Sequence, residues 1–157
     1  MNFEGALIRP VRVLDYTKIR EFLLENKSLY PGIECWWDDR VCPSIKSGER
    51  TVLVVDVGGD IEGLFIGKSG KAAKICTLRL RKSIRNQGVG KALITEGLDS
   101  LLDSNTERVY GTISGAAEEC CMPFFESIGF EQIAIEANRY VKGVEEFIYV
   151  RQLDDRS

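Results

Sequence analysis

Histidine is absent from all 157 residues. That excludes Ser-His-Asp and Cys-His nucleophile systems, histidine-based zinc sites and any histidine general base. An enzyme built from this chain must work with carboxylates, tyrosines, cysteines, backbone amides and water. Cysteine is sparse and scattered: Cys35, Cys42, Cys76, Cys120 and Cys121 are odd in number and contain no CxxC pair. Neither a disulfide framework nor a tetrahedral metal site is indicated, so no metal is expected and the thiols read as reduced. A basic excess is missing as well. Lysine plus arginine is 21 against 24 aspartates and glutamates, 21 − 24 = −3, the wrong sign for a duplex-binding module. No apolar run approaches the roughly 18 residues of a membrane span, and the N-terminus lacks a signal-peptide core. The expectation is a cytoplasmic protein with no membrane segment. With no repeat or linker, residues 1–157 read as one domain, long enough to bury roughly two thirds of its unfolded surface without staples.

What is present is an α/β pattern. Ala6 to Val13 reads as a strand, with Pro10 suggesting an edge or a bulge. Asp15 offers an N-cap to a helix carrying Ile19, Phe22, Leu23 and Leu29, which Pro31-Gly32 ends. Between Ile33 and Glu49, Trp36, Trp37 and Val41 suggest a short buried helix whose length Pro43 limits. TVLVVDV, Gly58-Gly59-Asp60 and IEGLFIG form a hairpin signal, and Ser69-Gly70 turns into a third strand, Ala72 to Leu80. A helix follows with Val89, Leu93, Ile94, Gly97, Leu98, Leu101 and Leu102 as its apolar stripe. Then come a strand (Arg108 to Ser114), a helix (Glu118 to Ile128) capped by Gly129, and two strands, Glu131 to Ala137 and Phe147 to Leu153. The order predicts a mixed central sheet of about seven strands flanked by about four helices.

The segment richest in chemistry is LRLRKSIRNQGVGKALI, Leu78 to Ile94. Gly88 and Gly90 stand where a strand gives way to a helix. Glycine permits positive φ and close backbone approach, and the first amides of a helix point outward at the positive end of its dipole. Strand, glycine loop and helix together form a phosphate cradle, with Arg81, Lys82, Arg85 and Lys91 adding charge. From the residues alone, a plain strand-to-helix turn that binds nothing is the alternative. Spacing excludes two familiar cradles. A Walker loop needs glycine at 85 and Ser or Thr at 92, which are Arg85 and Ala92. A dinucleotide fingerprint needs glycine at 93, which is Leu93.

The pattern Arg85-Asn86-Gln87-Gly88-Val89-Gly90 resembles the pyrophosphate-binding signature of the GNAT superfamily, the acyl-CoA-dependent N-acyltransferases. Leu78-Arg79-Leu80 is similar to the strand that pairs with the pantetheine arm in that family. Phe125-Glu126-Ser127-Ile128-Gly129-Phe130 resembles the end of its second motif, and the element order matches over nearly the whole chain. The resemblance implies a GNAT-like fold and acetyl-CoA as cosubstrate, held by Leu78, Leu80, Arg85, Asn86, Gln87, Gly88, Val89, Gly90, Lys91 and Phe125. It also implies transfer of an acetyl group to an amine acceptor by direct attack, with the backbone N–H near Leu80 stabilising the oxyanion. Dimers are common in the family, so a homodimer is compatible with the sequence.

The chain departs from the family at proton handling. Where a tyrosine often protonates the departing thiolate, this sequence has Phe125, and where an asparagine is usual it has Glu118-Glu119-Cys120-Cys121. Cys121 lies one helical turn before Phe125 and is either a candidate acid or part of the core. Water or Tyr140 are the other proton sources. Asp56, Glu62, Glu34, Asp38 and Asp39 are candidate bases or ordinary surface charges, and the last three suit a cationic acceptor. Trp36-Trp37 is core, or one ring lines the acceptor site. Three functions remain open: an acetyltransferase on a small-molecule or protein amine, a CoA-binding regulatory module without catalysis, and a toxin-like acetyltransferase of aminoacyl-tRNA. The negative charge weighs against the third and against nucleic acid as a partner, although Arg79, Arg81, Lys82 and Arg85 offer a local basic face.

Overall fold

A computed structural model describes residues 2–3, 5–25, 30–114 and 121–153. Its centre is an eight-stranded sheet in the order β1-β2-β3-β4-β5-β6-β8-β7. The strands are β1 (Asn2–Phe3), β2 (Ala6–Pro10), β3 (Arg50–Val57), β4 (Asp60–Lys68), β5 (Ala72–Leu80), β6 (Arg108–Ser114), β7 (Glu131–Ala137) and β8 (Glu145–Gln152). Seven of these are the expected strands, and the eighth is the two-residue β1. All neighbours are antiparallel except β5 and β6. That parallel pair is joined by the helix α4 (Val89–Leu101), as a crossover requires.

The central strands are apolar on both faces because each face is covered. Along β3, Val52 and Val54 point into a core with Ile19, Phe22, Leu23, Trp37 and Val41. Leu53 and Val55 point into the opposite core, with Phe65, Leu93 and Leu98. This period-two alternation sends successive side chains to different helical layers. The first layer holds α1 (Tyr16–Leu24), α2 (Ile33–Trp36) and α3 (Cys42–Ser47); the second holds α4 and α5 (Cys121–Ser127).

The first layer departs from the sequence expectation in three ways. Helix α1 ends at Leu24, well before Pro31-Gly32, and Leu29 lies outside the described residues. Asp15 precedes α1 without capping it by its side chain. Its carboxylate instead takes a two-pronged ion pair from Arg9 (2.8 and 2.9 Å) and the Arg12 N–H (2.7 Å). Third, Pro43 does not limit its helix. A π-turn over Trp37–Val41, closed by Cys42 N–H to Trp37 O, joins α2 to α3, so the run continues to Ser47. Pro43 falls in the first turn of α3, where a missing N–H is tolerated. The run from Ile33 to Ser47 counts as one of the four helices expected, and Trp37 is its fully buried anchor.

Candidate active site

The site begins where β5 leaves β6. The two strands pair only from Ala72–Arg108 to Ile75–Gly111; beyond that β6 runs on with β8. A β-bulge accompanies the parting: Ile66 of β4 faces Thr77 and Gly67 faces Ile75, so Cys76 is the extra residue. From Cys76 to Leu80 one edge of β5 therefore has no strand partner among the described residues. Arg81 donates its N–H to Glu62 O on β4 at 2.9 Å. Backbone groups alternate along a strand, so Leu80 turns its own N–H and C=O towards the unpaired edge. Its carbonyl there accepts the Arg85 Nε, 2.9 Å away.

The loop between β5 and α4 is pinned at both ends by apolar side chains. Ile84 and Val89 are buried in the α4-side core, and between them Asn86 and Gly88 take left-handed backbone (φ +63° and +83°). Only glycine adopts that conformation without penalty, and asparagine tolerates it best among the rest. The first intrahelical bond is Ala92 N–H to Gly88 O (3.1 Å), so the amides of Val89, Gly90 and Lys91 lie ahead of it and face outward. Gly90 closes the angle between helix and strand. A Cβ there would sit 3.2 Å from Leu80 Cδ1 and 3.7 Å from the Phe124 ring. Lys91 and Gln87 are exposed, with Gln87 Nε2 donating to Ser83 O at 3.3 Å. Residues 85–91 thus converge on one cradle beside Leu80, and they fit an anionic group approached by backbone amides.

The two adjacent phenylalanines of α5 meet different neighbours. Phe125 is buried against Phe130 (ring centroids 5.2 Å) and Tyr149 (5.9 Å), beneath Gly111 of β6. Phe124, half-buried, is the ring that reaches Gly90. Adjacent helical positions point about 100° apart, so a motif match alone could not decide which phenylalanine faces the cleft. Cys121 opens α5, but its side chain lies outside the described residues, as do Glu118, Glu119 and Cys120.

Most of the candidate carboxylates are already engaged. Asp56 accepts from Arg9 Nε (3.1 Å) and from the Gly59 N–H (2.8 Å), which lowers its pKa, chiefly through that amide. Glu62 pairs with Arg81 (3.3 Å) and Asp38 with Arg20 (3.2 Å). Asp39 is exposed, while Glu34 is half-buried with one carboxylate oxygen, Oε2, out of solvent and without a hydrogen-bond partner.

Tyr140, on the turn between β7 and β8, reaches the fork itself. Its ring meets Tyr30 edge-on at 5.7 Å, and its hydroxyl accepts from Arg139 Nε at 3.3 Å. Thr112, the residue after the last β5–β6 pair, and Lys74 of β5 both act on it electrostatically. Burial alone would raise the phenol's pKa. Arg139's hydrogen bond, Lys74's charge and Thr112's hydroxyl outweigh it and hold the pKa below the usual tyrosine value. Tyr30 and Thr112 carry no motif; only the folded register brings them here.

Beside β5, towards the end of α1, lies a cavity of about 280 Å³ walled by Phe22, Glu25, Arg79, Leu80, Arg81, Lys82 and Arg85. Arg81 is neutralised by a two-pronged pair with Glu25 (3.1 and 2.9 Å) and by Glu62.

A sheet that parts between two parallel strands, with a glycine cradle at the head of the connecting helix, is the architecture of acyltransferases that draw on a coenzyme thioester. The family model for the acetyltransferase (GNAT) domain matches residues 32–152. The chain belongs to the GNAT acetyltransferase family. A search of curated proteins returns no relative. Similar solved structures include NAA60 from Arabidopsis thaliana in complex with a bisubstrate analogue (TM-score 0.77, 14% identity, covering 95% of this chain and 98% of that one). Another is the ribosomal-protein-S18-alanine N-acetyltransferase from Escherichia coli (0.73, 15%, 97% and 96%). A third is the PaiA N-acetyltransferase from Thermoplasma acidophilum in complex with coenzyme A (0.71, 16%, 94% and 99%). At these identities the likeness shows the fold. No helix among the described residues is long and apolar enough to cross a membrane.

Proposed function

We propose that the protein transfers an acetyl group from acetyl-CoA to a primary amine by direct attack. The observation that carries this reading is the unpaired edge of β5, with Leu80's backbone turned towards it, directly beside the cradle of residues 85–91. When bound, acetyl-CoA supplies the activated acyl group, so the chain needs no nucleophile of its own.

The residues then have separable tasks. The amides of Val89, Gly90 and Lys91, with Arg85, hold the pyrophosphate, while Leu78 and Leu80 offer backbone partners to the pantetheine arm. The Leu80 N–H stabilises negative charge developing on the acyl oxygen, as a fixed donor that does not reorganise. Tyr140 is our candidate for protonating the departing thiolate, since its lowered pKa favours donation and it stands at the strand fork. The coenzyme-binding module without catalysis is the competing reading. The aminoacyl-tRNA reading is weaker, because Arg81 is internally paired and Arg79 is stacked against Phe22 rather than presented outward.

Thiol release from acetyl-CoA with a panel of amines, with mass spectrometry of the product, decides between these. Saturable acetyl-CoA binding with no acetylated amine from any class would overturn the transferase reading.

A further inference from the structure

Arg79 stands apart from every other cation around the cleft. Its side chain is directed to the α1 face, where Cζ lies 5.2 Å from the Phe22 ring centroid, and Nη1 donates to the Phe22 carbonyl. A guanidinium has five N–H donors in a rigid fork, and this carbonyl takes one. No carboxylate among the described residues pairs with it: Glu25, the acid of the same cavity, is held by Arg81 from both oxygens. Arg79 is also substantially desolvated, and this burial lowers its pKa against the opposing influence of Glu25 and Tyr30. A half-buried cation without a paired carboxylate is a ready partner for a ligand anion.

The direction of the Arg79 side chain sets it apart from the α4 cradle. Arg79 and Leu80 are consecutive, so their side chains leave the strand on opposite faces. Leu78 and Leu80 pack into the α4-side core, whereas Arg79 lines the 280 Å³ cavity, whose wall also takes in Leu80 and Arg85, so the cavity adjoins the β5 edge where the acyl group would sit. That volume lies near the small end of ligand pockets, about 300 Å³.

We propose, resting on the acetyltransferase reading above, that Arg79 anchors a carboxylate of the acceptor, so the substrate is a small amine that also bears a carboxylate, such as an amino acid. The acceptor enters from the α1 face, its carboxylate on the Arg79 fork and its amine towards the β5 edge. The acidic residues of the α2 segment, expected from the sequence to favour a cationic acceptor, do not line this cavity; Asp38 is bound to Arg20.

The test compares the twenty common L-amino acids with their α-carboxamides, as acceptors by thiol release and as ligands of the CoA-loaded protein by calorimetry. The free acids should be preferred for at least one side chain. Arg79→Gln should raise KM or Kd for that acid about 10- to 100-fold, the range for a charge-assisted hydrogen bond, and collapse the acid-to-amide ratio towards one. Arg79→Lys should restore only part of it. Acetyl-CoA affinity and thermal stability, measured alongside, should be retained. Three results overturn the proposal: equal use of acids and amides by the wild type, no acid bound or acetylated, or a loss in Arg79→Gln confined to acetyl-CoA. Acids that bind through Arg79 without being acetylated would leave the anion site standing and reject the transferase reading.

Discussion

Gly97 lies on the buried face of α4, and replacing it with alanine sets two forces of opposite sign against each other. In a helix, Gly→Ala stabilises by about 1 kcal/mol through backbone entropy alone. Here the new Cβ would lie 2.6 Å from both Cε1 and Cζ of Phe65 and 2.7 Å from its Cδ1. Ordinary carbon contacts are ~3.5–4.0 Å, so the overlap is about 1 Å. The ring cannot retreat, because Phe65 is fully buried and a Cβ on Gly67 would already approach its Cε1 to 2.9 Å on β4's own side. Overpacking of this kind costs about 1–3 kcal/mol, and the upper end applies where the obstacle is pinned. The net expectation is destabilisation by about 2 kcal/mol, a fall in Tm of roughly 4–8 °C for a chain of this length. Chemical denaturation of Gly97→Ala, Phe65→Leu and the double variant gives the matching check. Trimming the ring should make room for the methyl and show a favourable coupling of about 1 kcal/mol. A Tm for Gly97→Ala equal to or above the wild type would refute the reasoning, since helix propensity would then have won.

Three further outcomes follow from the geometry. Gly88→Val forces a branched side chain into a backbone at φ +83° that L-residues avoid at roughly 1–2 kcal/mol, so acetyl-CoA affinity should fall at least tenfold with far-ultraviolet circular dichroism unchanged; unaltered affinity by calorimetry would remove the cradle assignment. Tyr140→Phe should lower kcat about 100-fold. Because the acid must hold its proton, wild-type kcat should decline as pH rises through a value below that of free tyrosine, and this alkaline limb should vanish in the variant; an identical pH profile would disqualify Tyr140. Asp15, buried and paired with Arg9, has its pKa lowered mainly by that hydrogen bond, so it contributes stability above the unfolded value of about 3.9 that is lost as pH falls through the lowered one. Asp15→Asn should cost roughly 3 kcal/mol at neutral pH and flatten the acid limb of a denaturation series, whereas a pH-independent, unchanged midpoint would argue that Asp56 alone suffices for Arg9.

Much of the fold could be read ahead of the coordinates because local signals agreed with tertiary demand. The strand TVLVVDV, the Gly58-Gly59 turn after it and the Gly129 cap (φ +90°) all stand where sequence placed them. The π-turn was not legible, since it arises from packing Trp37 rather than from any residue preference. Pro43, usually a stop, is accommodated in the first turn of α3, behind the wider π-turn. In the site, the cradle was visible as contiguous residues with fixed spacing. Tyr30 and the isolation of Arg79 were not, because each depends on elements the fold brings together from far apart in the sequence, Tyr30 against Tyr140 and Arg79 against Phe22. Glu62 and Asp56 show the converse: carboxylates that looked available are consumed by Arg81 and Arg9.

The pleat of β5 has a consequence for how such a protein changes over time. On the proposed reading, Leu78 and Leu80 serve the acetyl donor, whereas Arg79, between them, meets the acceptor. A single codon in the middle of the strand can therefore rewrite what is modified while its neighbours keep the donor in place. On this architecture the face that Arg79 shares begins only beyond the Cys76 bulge, since Ala73 and Ile75 ahead of it turn the other way.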